Sequence, residues 1–248
     1  MTRAIDLNAD VGEGFADAEL MPFLTSCSIA CGGHAGDEVT MREAVRLAVK
    51  HGLAIGAHPG FPDRAGFGRT VTATDSAAIE ALVSAQIARL GDVARHEGAR
   101  LAHVKPHGAL YDLAARDGDV ARAIARAVRR TLPDAALLLL AGSRALEVAR
   151  AEGLRALAEG FADRCYRADG SLAPRGSAGA LITDPERAAT QALAIAAHGR
   201  VTTIDGGSLA LAADTLCLHG DTPGATAIAE RVSRQLRDAG IAVARAAG

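Results

Sequence analysis

Short apolar runs alternate with amphipathic stretches from end to end of the chain. AIDLNAD (4–10) reads as a strand with Asp6, Asn8 and Asp10 on one face. Further strands are expected at SCSIAC (26–31), LAIGAH (53–58), LAHVKPHG (101–108), AALLLL (135–140) and 155–160. AALLLL is apolar throughout, the pattern of a strand buried on both faces. Between the strands, Met41, Ala44, Val45, Ala48 and Val49 recur at helical spacing, as do Ile79, Leu82, Val83, Ile87, Leu90 and Val93. Helices are also expected near 118–130, 142–152, 185–198 and 224–239. VTTIDGGSLAL (201–211) breaks the alternation, since two β-rich runs around Asp205-Gly206-Gly207 predict an inserted hairpin. Repeated β-α units without a linker predict an α/β fold whose parallel sheet closes into a barrel, one domain over 1–248.

Composition narrows the function classes. Of the 248 residues 49% are apolar, enough for a substantial core. No run approaches the roughly 18 apolar residues of a membrane span, and the opening RAIDLNAD lacks a signal-peptide pattern, so the chain reads as cytoplasmic. A net charge of −2 and 3% aromatics argue against nucleic-acid binding, which needs a basic face and stacking rings. Cys27, Cys31, Cys165 and Cys217 form no CxxC pair and read as buried thiols. The 27 basic residues include only two lysines, Lys50 and Lys105, which marks both as places where a compact ammonium is wanted.

Polar residues gather where the expected strands end: DLNADVGEG, CGGHAGD, AHPGFPDRAGFGR, VKPHGALY, EGFADRCY and LHGD. In parallel α/β folds those ends carry the site. His51, His96 and His198 fall at expected helix ends before glycine and read as structural. His34, His58, His107 and His219 each follow a strand, and His103 lies two residues before Lys105. Four imidazoles on one rim can shuttle protons or bind a metal. Among the acids, Asp184 before Pro185 reads as a helix cap, Asp221 or Thr222 competes to cap the last helix, and Asp37 divides between capping and partnering His34. Asp10 and Glu13 precede no long helix and read as functional. GEGFAD lacks the third glycine of a dinucleotide fingerprint, and GFPDRAGFGRT lacks a P-loop's GK[ST], so any nucleotide is bound by other means or by a partner protein. Arg64 and Arg69 are candidates for holding a carboxylate or phosphate.

Together DLNADVGEGF, SIACGGHAGD, IGAHPGFPDRAGFGR, VKPHGALY, EGFADRCYRADGSLAPR and LCLHGDTPGA closely resemble the LamB/YcsF family, whose members are described as the A-subunit of 5-oxoprolinase. The resemblance runs from about residue 4 to residue 240 with the motifs in order. Ala9 stands where a cysteine is expected, and Gly33 where relatives vary. The resemblance implies an irregular seven-stranded (β/α) barrel similar to glycoside hydrolases and polysaccharide deacetylases. It also implies ATP-dependent opening of the 5-oxo-L-proline lactam to L-glutamate, with ATP as co-substrate and subunits B and C as partners.

On this reading Asp10 and Glu13 act as base or water-positioning carboxylates, and His34, His58 and His107 as proton shuttles. Lys105 stabilises developing negative charge, and alanine at Lys105 or His107 is expected to abolish turnover with the fold intact. Asn8, Arg64, Arg69, Asp163, Arg164, Arg175 and His219 are candidates for substrate or phosphate binding. A divalent metal on Asp10, His34, His58 and His107 is a further expectation, although no local HxxxH-type spacing marks it. Two other functions fit the residues: a stand-alone metal-dependent deacetylase or amidohydrolase, and a non-catalytic 5-oxoproline-binding subunit.

Overall fold

Seven parallel strands close on themselves in a computed structural model that describes residues 3–247; residues 1, 2 and 248 of the expected unit lie outside the described residues. The elements run β1 (Ala4–Val11), α1 (Asp17–Leu20), β2 (Ser26–Ala30), α2 (Glu38–His51), β3 (Ala54–His58), α3 (Ser76–His96), β4 (Leu101–Val104), α4 (Gly108–Arg116) and α5 (Gly118–Thr131). They continue with β5 (Ala136–Leu140), α6 (Ala145–Ala151), β6 (Arg155–Phe161), α7 (Pro185–His198), β7 (Arg200–Thr202), β8 (Ser208–Ala210), β9 (Thr215–His219), α8 (Ala225–Asp238) and β10 (Ala242–Val243). Strands β1 to β6 neighbour one another in sequence order, and β9 lies between β6 and β1, which closes the barrel. Strand β10 adds to the start of β1, pairing Ala4 with Ala242. Strands β7 and β8 pair antiparallel outside the barrel, with Val201 opposite Leu209.

The alternation in β1 decides what fills the barrel. Leu7, Ala9 and Val11 join the large apolar cluster packed under the helices, while Asp6, Asn8 and Asp10 meet the polar side chains of neighbouring strands. The main core therefore lies between barrel and helices, where a buried Leu or Ile contributes about 1.5–3 kcal/mol. The barrel interior is a polar column. Near its N-terminal end Asp6 accepts hydrogen bonds from Thr25 Oγ1 (2.6 Å) and Ser26 Oγ (2.7 Å). Ala247 packs there on Ala136, Leu138 and Leu157.

The helix ends follow local chemistry. Asp37 caps α2 by accepting from the Thr40 amide, with a reciprocal capping box, and Asp184 caps α7 ahead of Pro185. Gly52 and Gly199 close α2 and α7 in the left-handed region. Three expectations are corrected. Val49 is exposed, because the apolar stripe of α2 is carried by Met41, Ala44, Val45 and Ala48. Neither Asp221 nor Thr222 caps α8, whose N-cap is Gly224, since both side chains are engaged by distant residues. The strand expected to 108 ends at Val104, and α4 starts at Gly108.

Candidate active site

The C-terminal ends of the barrel strands carry a buried charged group and, above it, a histidine cluster. Lys105, just beyond β4, places Nζ 2.8 Å from Glu159 Oε1 of β6 and 3.0 Å from Asp10 Oδ1 of β1. It also donates to Cys217 Sγ at 3.1 Å and Asn8 Oδ1 at 3.3 Å. Asn8 in turn donates to Glu159 Oε1 and Thr215 Oγ1, so it braces the charged group from below. Burial alone would lower the Lys105 pKa, but the charges of Asp10 and Glu159, with the Cys217 sulfur alongside, hold it well above the usual lysine value. Burial would raise Asp10, and the charges of His58 and Lys105 overcome it, holding the carboxyl well below its usual range.

Glycines bring the histidines together. After β2 the chain turns through Gly32 and Gly36, both at positive φ, and delivers His34 to the rim. His58 ends β3, and His107 is the N-cap residue of α4, its side chain turned into the site instead of capping the helix. The loop 59–70 folds over the rings. Phe67 sits at φ 54°, a conformation sparsely populated by non-glycine residues, and its carbonyl accepts from His107 Nε2 at 2.8 Å. The His34 and His107 rings stack with centroids 3.6 Å apart, while His58 stands edge-on to both.

Glu13 joins this cluster from the loop after β1. Its Oε1 lies 2.8 Å from His34 Nε2, 3.4 Å from His107 Nδ1 and 3.7 Å from His58 Nε2. Burial, reinforced by Asp10 and opposed by His58, pushes the Glu13 carboxyl up to about 7. Burial and then the charge of His58 bring His34 down to about 3, and the same causes hold His107 well below the usual histidine value. His58 is the exception. Burial opposes its charge, but Asp10 Oδ2 at 3.3 Å raises its pKa. Donor atoms of Glu13, His34, His58 and His107 all lie within 4.8 Å of one another, a spacing that could hold a metal ion. Asp10, expected in that set, falls outside this group, and its Oδ1 is drawn to Lys105.

The remaining candidates divide. His219 turns to Asp163, with Nδ1 2.8 Å from its Oδ1, and Thr222 donates to the same carboxylate, so this pair ties β9 to β6 beside the cluster. Arg164 donates to the Ala173 carbonyl, and Arg64 to the carbonyl of Gly36, so both brace loops. Arg69 and Arg175 converge on Asp221 Oδ2 at 3.0 and 2.7 Å at the mouth. His103 lies deeper, facing Ser28 Oγ across the barrel at 3.1 Å, where Gly56 leaves room for its ring. The four cysteines are buried and unbridged. Sequence reasoning passed over two residues. Glu159 opens the stretch EGFADRCY within the end of β6, and an acid inside an otherwise apolar strand was its signal; Phe67 gave none.

Comparison with known proteins shows the family of the chain. The LamB/YcsF family model matches residues 5–248. A Heliobacterium modesticaldum protein, named as the A-subunit of 5-oxoprolinase, is 50% identical over 245 residues, 96% of each chain. A Chloroflexus aggregans protein of the same name is 50% identical over 246 residues, 97% of this chain and 98% of that one. The crystal structure of a lactam utilization protein from Thermus thermophilus superposes with a TM-score of 0.90 at 46% identity, covering 97% of this chain and 99% of that one. A T48 deacetylase, 17% identical with a TM-score of 0.50, shares the fold alone. The chain, a seven-stranded α/β barrel with a buried Lys105 group beneath three clustered histidines, belongs to the LamB/YcsF family.

Proposed function

We propose that this chain is the lactam-handling component of an ATP-dependent 5-oxoprolinase, converting 5-oxo-L-proline, ATP and water to L-glutamate, ADP and phosphate with subunits B and C. The observation that carries the reading is the buried Lys105–Asp10–Glu159 group set directly under Glu13 and three imidazoles. A small site that only bound a lactam would not need so many buried titratable groups. The relatives' names, which make them the A-subunit of 5-oxoprolinase, support the substrate class.

A five-membered lactam is a poor electrophile, and phosphorylation of its oxygen by ATP supplies a leaving group. Water then adds to the activated carbon, the ring C–N bond breaks with protonation of nitrogen, and the resulting acyl phosphate hydrolyses. Glu13, within reach of all three histidine rings, takes the proton from the attacking water. His58 and His107, their facing nitrogens 2.9 Å apart, line the pocket beside the leaving nitrogen, to which the proton taken by Glu13 passes. Lys105, fixed as a cation between two carboxylates, faces the negative charge of the phosphoryl group on the activated substrate. Arg69 or Arg175 releases Asp221 to hold a substrate carboxylate or phosphate.

The test is glutamate, ADP and phosphate formation from 5-oxoproline and ATP, with and without subunits B and C. ATP-coupled turnover only with the partners supports the reading. Hydrolysis by this chain alone without ATP would instead make it a stand-alone amidohydrolase. Unchanged turnover of complexes carrying a Glu13→Gln chain would reduce it to a binding role.

A further inference from the structure

His58 and His107 meet nitrogen to nitrogen, with Nε2 of the first 2.9 Å from Nδ1 of the second. The outer nitrogen of each ring is already committed. His58 Nδ1 lies 2.8 Å from the Lys105 carbonyl, and His107 Nε2 lies 2.8 Å from the Phe67 carbonyl. A carbonyl oxygen only accepts, so both outer nitrogens carry the ring proton. In neutral rings the facing nitrogens are therefore both lone pairs; Glu13 Oε1 lies 3.4 Å from His107 Nδ1 and 3.7 Å from His58 Nε2, and Asp10 Oδ2 adds a further acceptor 3.3 Å from His58 Nε2. Buried acceptors that converge without a donor repel one another, so something positive must stand among them.

We propose that this point binds one divalent transition-metal ion of the zinc type, through His58 Nε2, His107 Nδ1 and Glu13 Oε1. Donors about 2.0–2.1 Å from a tetrahedral zinc ion stand roughly 3.3 Å apart. The three separations here, 2.9, 3.4 and 3.7 Å, bracket that spacing before any ion draws them in. The His58 and His107 ring planes cross at 86°, so one point can lie in both planes. His34 is different. Its ring is stacked on His107 with the planes 6° apart, so an ion in the plane of one ring lies well outside the plane of the other. His34 is a positioning residue that donates from Nε2 to Glu13 Oε1 and sets the carboxylate.

The surroundings fit an ion. Backbone carbonyls hold the outer N–H of both ligating rings, the usual device that fixes tautomer and orientation around a metal. Two imidazoles and one carboxylate suit zinc-like ions better than Mg²⁺ or Ca²⁺, which prefer all-oxygen sets. Three protein ligands leave a fourth position open, the pattern of catalytic sites. The buried group also holds two carboxylates, Asp10 and Glu159, against the one ammonium of Lys105, an imbalance that a cation above them would offset. The rival occupant is an added proton on His58, shared with His107 and Asp10.

Binding is read without substrate, ATP or partners, so its outcome is separate from that of the lactam reading. Full-length protein stripped with a chelator is titrated calorimetrically with Zn²⁺ and, separately, Mg²⁺ at neutral pH. One Zn²⁺ per chain is expected, with no comparable heat from Mg²⁺ and a Zn²⁺-dependent rise in Tm. Glu13→Gln and His107→Gln should weaken Zn²⁺ binding on the order of 100-fold or more, and His34→Ala by about 10- to 100-fold. Circular dichroism identifies variants that remain folded. No Zn²⁺ binding by the wild type, or unchanged affinity in folded Glu13→Gln or His107→Gln protein, would overturn the proposal in favour of the proton.

Discussion

Lys105 Nζ stands 2.8 Å from Glu159 Oε1, and the two side chains are 3% and 0% exposed. Removing one member of a buried ion pair leaves an uncompensated charge, typically at a cost of 3–5 kcal/mol. Lys105→Ala is therefore expected both to abolish turnover and to lose on the order of 3–5 kcal/mol in urea unfolding. This revises the expectation that alanine at Lys105 spares the fold. Adding Glu159→Gln to Lys105→Ala removes one stranded carboxylate and should recover part of the lost stability without recovering activity. A double variant no more stable than Lys105→Ala would mean that Glu159 is not the stranded group.

Gly68 tests the loop that covers the histidines. It lies at φ 66°, and a Cβ there would stand 2.7 Å from His34 Cβ and 2.8 Å from His107 Cδ2. Alanine would be strained by its backbone and would press on both stacked rings. Gly68→Ala is expected to lose about 1–3 kcal/mol of stability and at least about 100-fold in kcat, as misplaced catalytic groups do. Gly142→Ala, at a similarly positive φ with no atom near its Cβ, is the control: it should share the backbone strain but keep kcat.

What the sequence made legible follows from the range of each interaction. The strand periodicity and the polar strand ends are local, and they placed Asp10, Glu13, His34, His58, Lys105 and His107 on one rim. Capping by Asp37 and Asp184 was equally readable, because a cap bonds within three residues. That Glu13 shares one point with all three rings while Asp10 divides between His58 and Lys105 depends on Lys105 reaching across the barrel, which no spacing reveals. Asp221 looked like a cap because its true partners, Arg69 and Arg175, are 152 and 46 residues away in sequence. Helix α4 escaped notice because its first turn is set by His107 and Gly108, residues that otherwise mark a loop.

Arg69 and Arg175 share one carboxylate oxygen at the mouth, and Arg69 is 46% exposed. The Arg69 contact, exposed on its arginine side, contributes about 0–1 kcal/mol to stability. Arg69→Ala should accordingly leave Tm nearly unchanged, whereas Arg175→Ala removes the better buried contact and should lower Tm. In the assembled enzyme at least one of them should raise KM for 5-oxoproline or ATP by about 10- to 100-fold while kcat changes little, the signature of a lost binding contact. If both variants keep wild-type KM values, the arginines serve only to hold Asp221.

Asp17 supplies a pH-dependent stability term away from the chemistry. It accepts from the Gly12 amide at 2.7 Å, yet burial outweighs that bond and, with the nearby charge of Glu13, pushes its pKa up to about 6 from the usual 3.8. A carboxyl whose pKa is raised on folding binds its proton more tightly in the folded state. Its contribution is therefore fully present below about pH 4 and is lost as pH rises toward about 6. The full shift corresponds to about 3 kcal/mol, and partial solvent exposure reduces this to about 1–2 kcal/mol. Asp17→Asn keeps an oxygen for the Gly12 amide but cannot titrate. Urea unfolding of both proteins across this range should show the variant gaining about 1–2 kcal/mol relative to wild type between about pH 4 and pH 7. A stability difference that stays constant with pH would show that Asp17 ionises as it does in the unfolded chain.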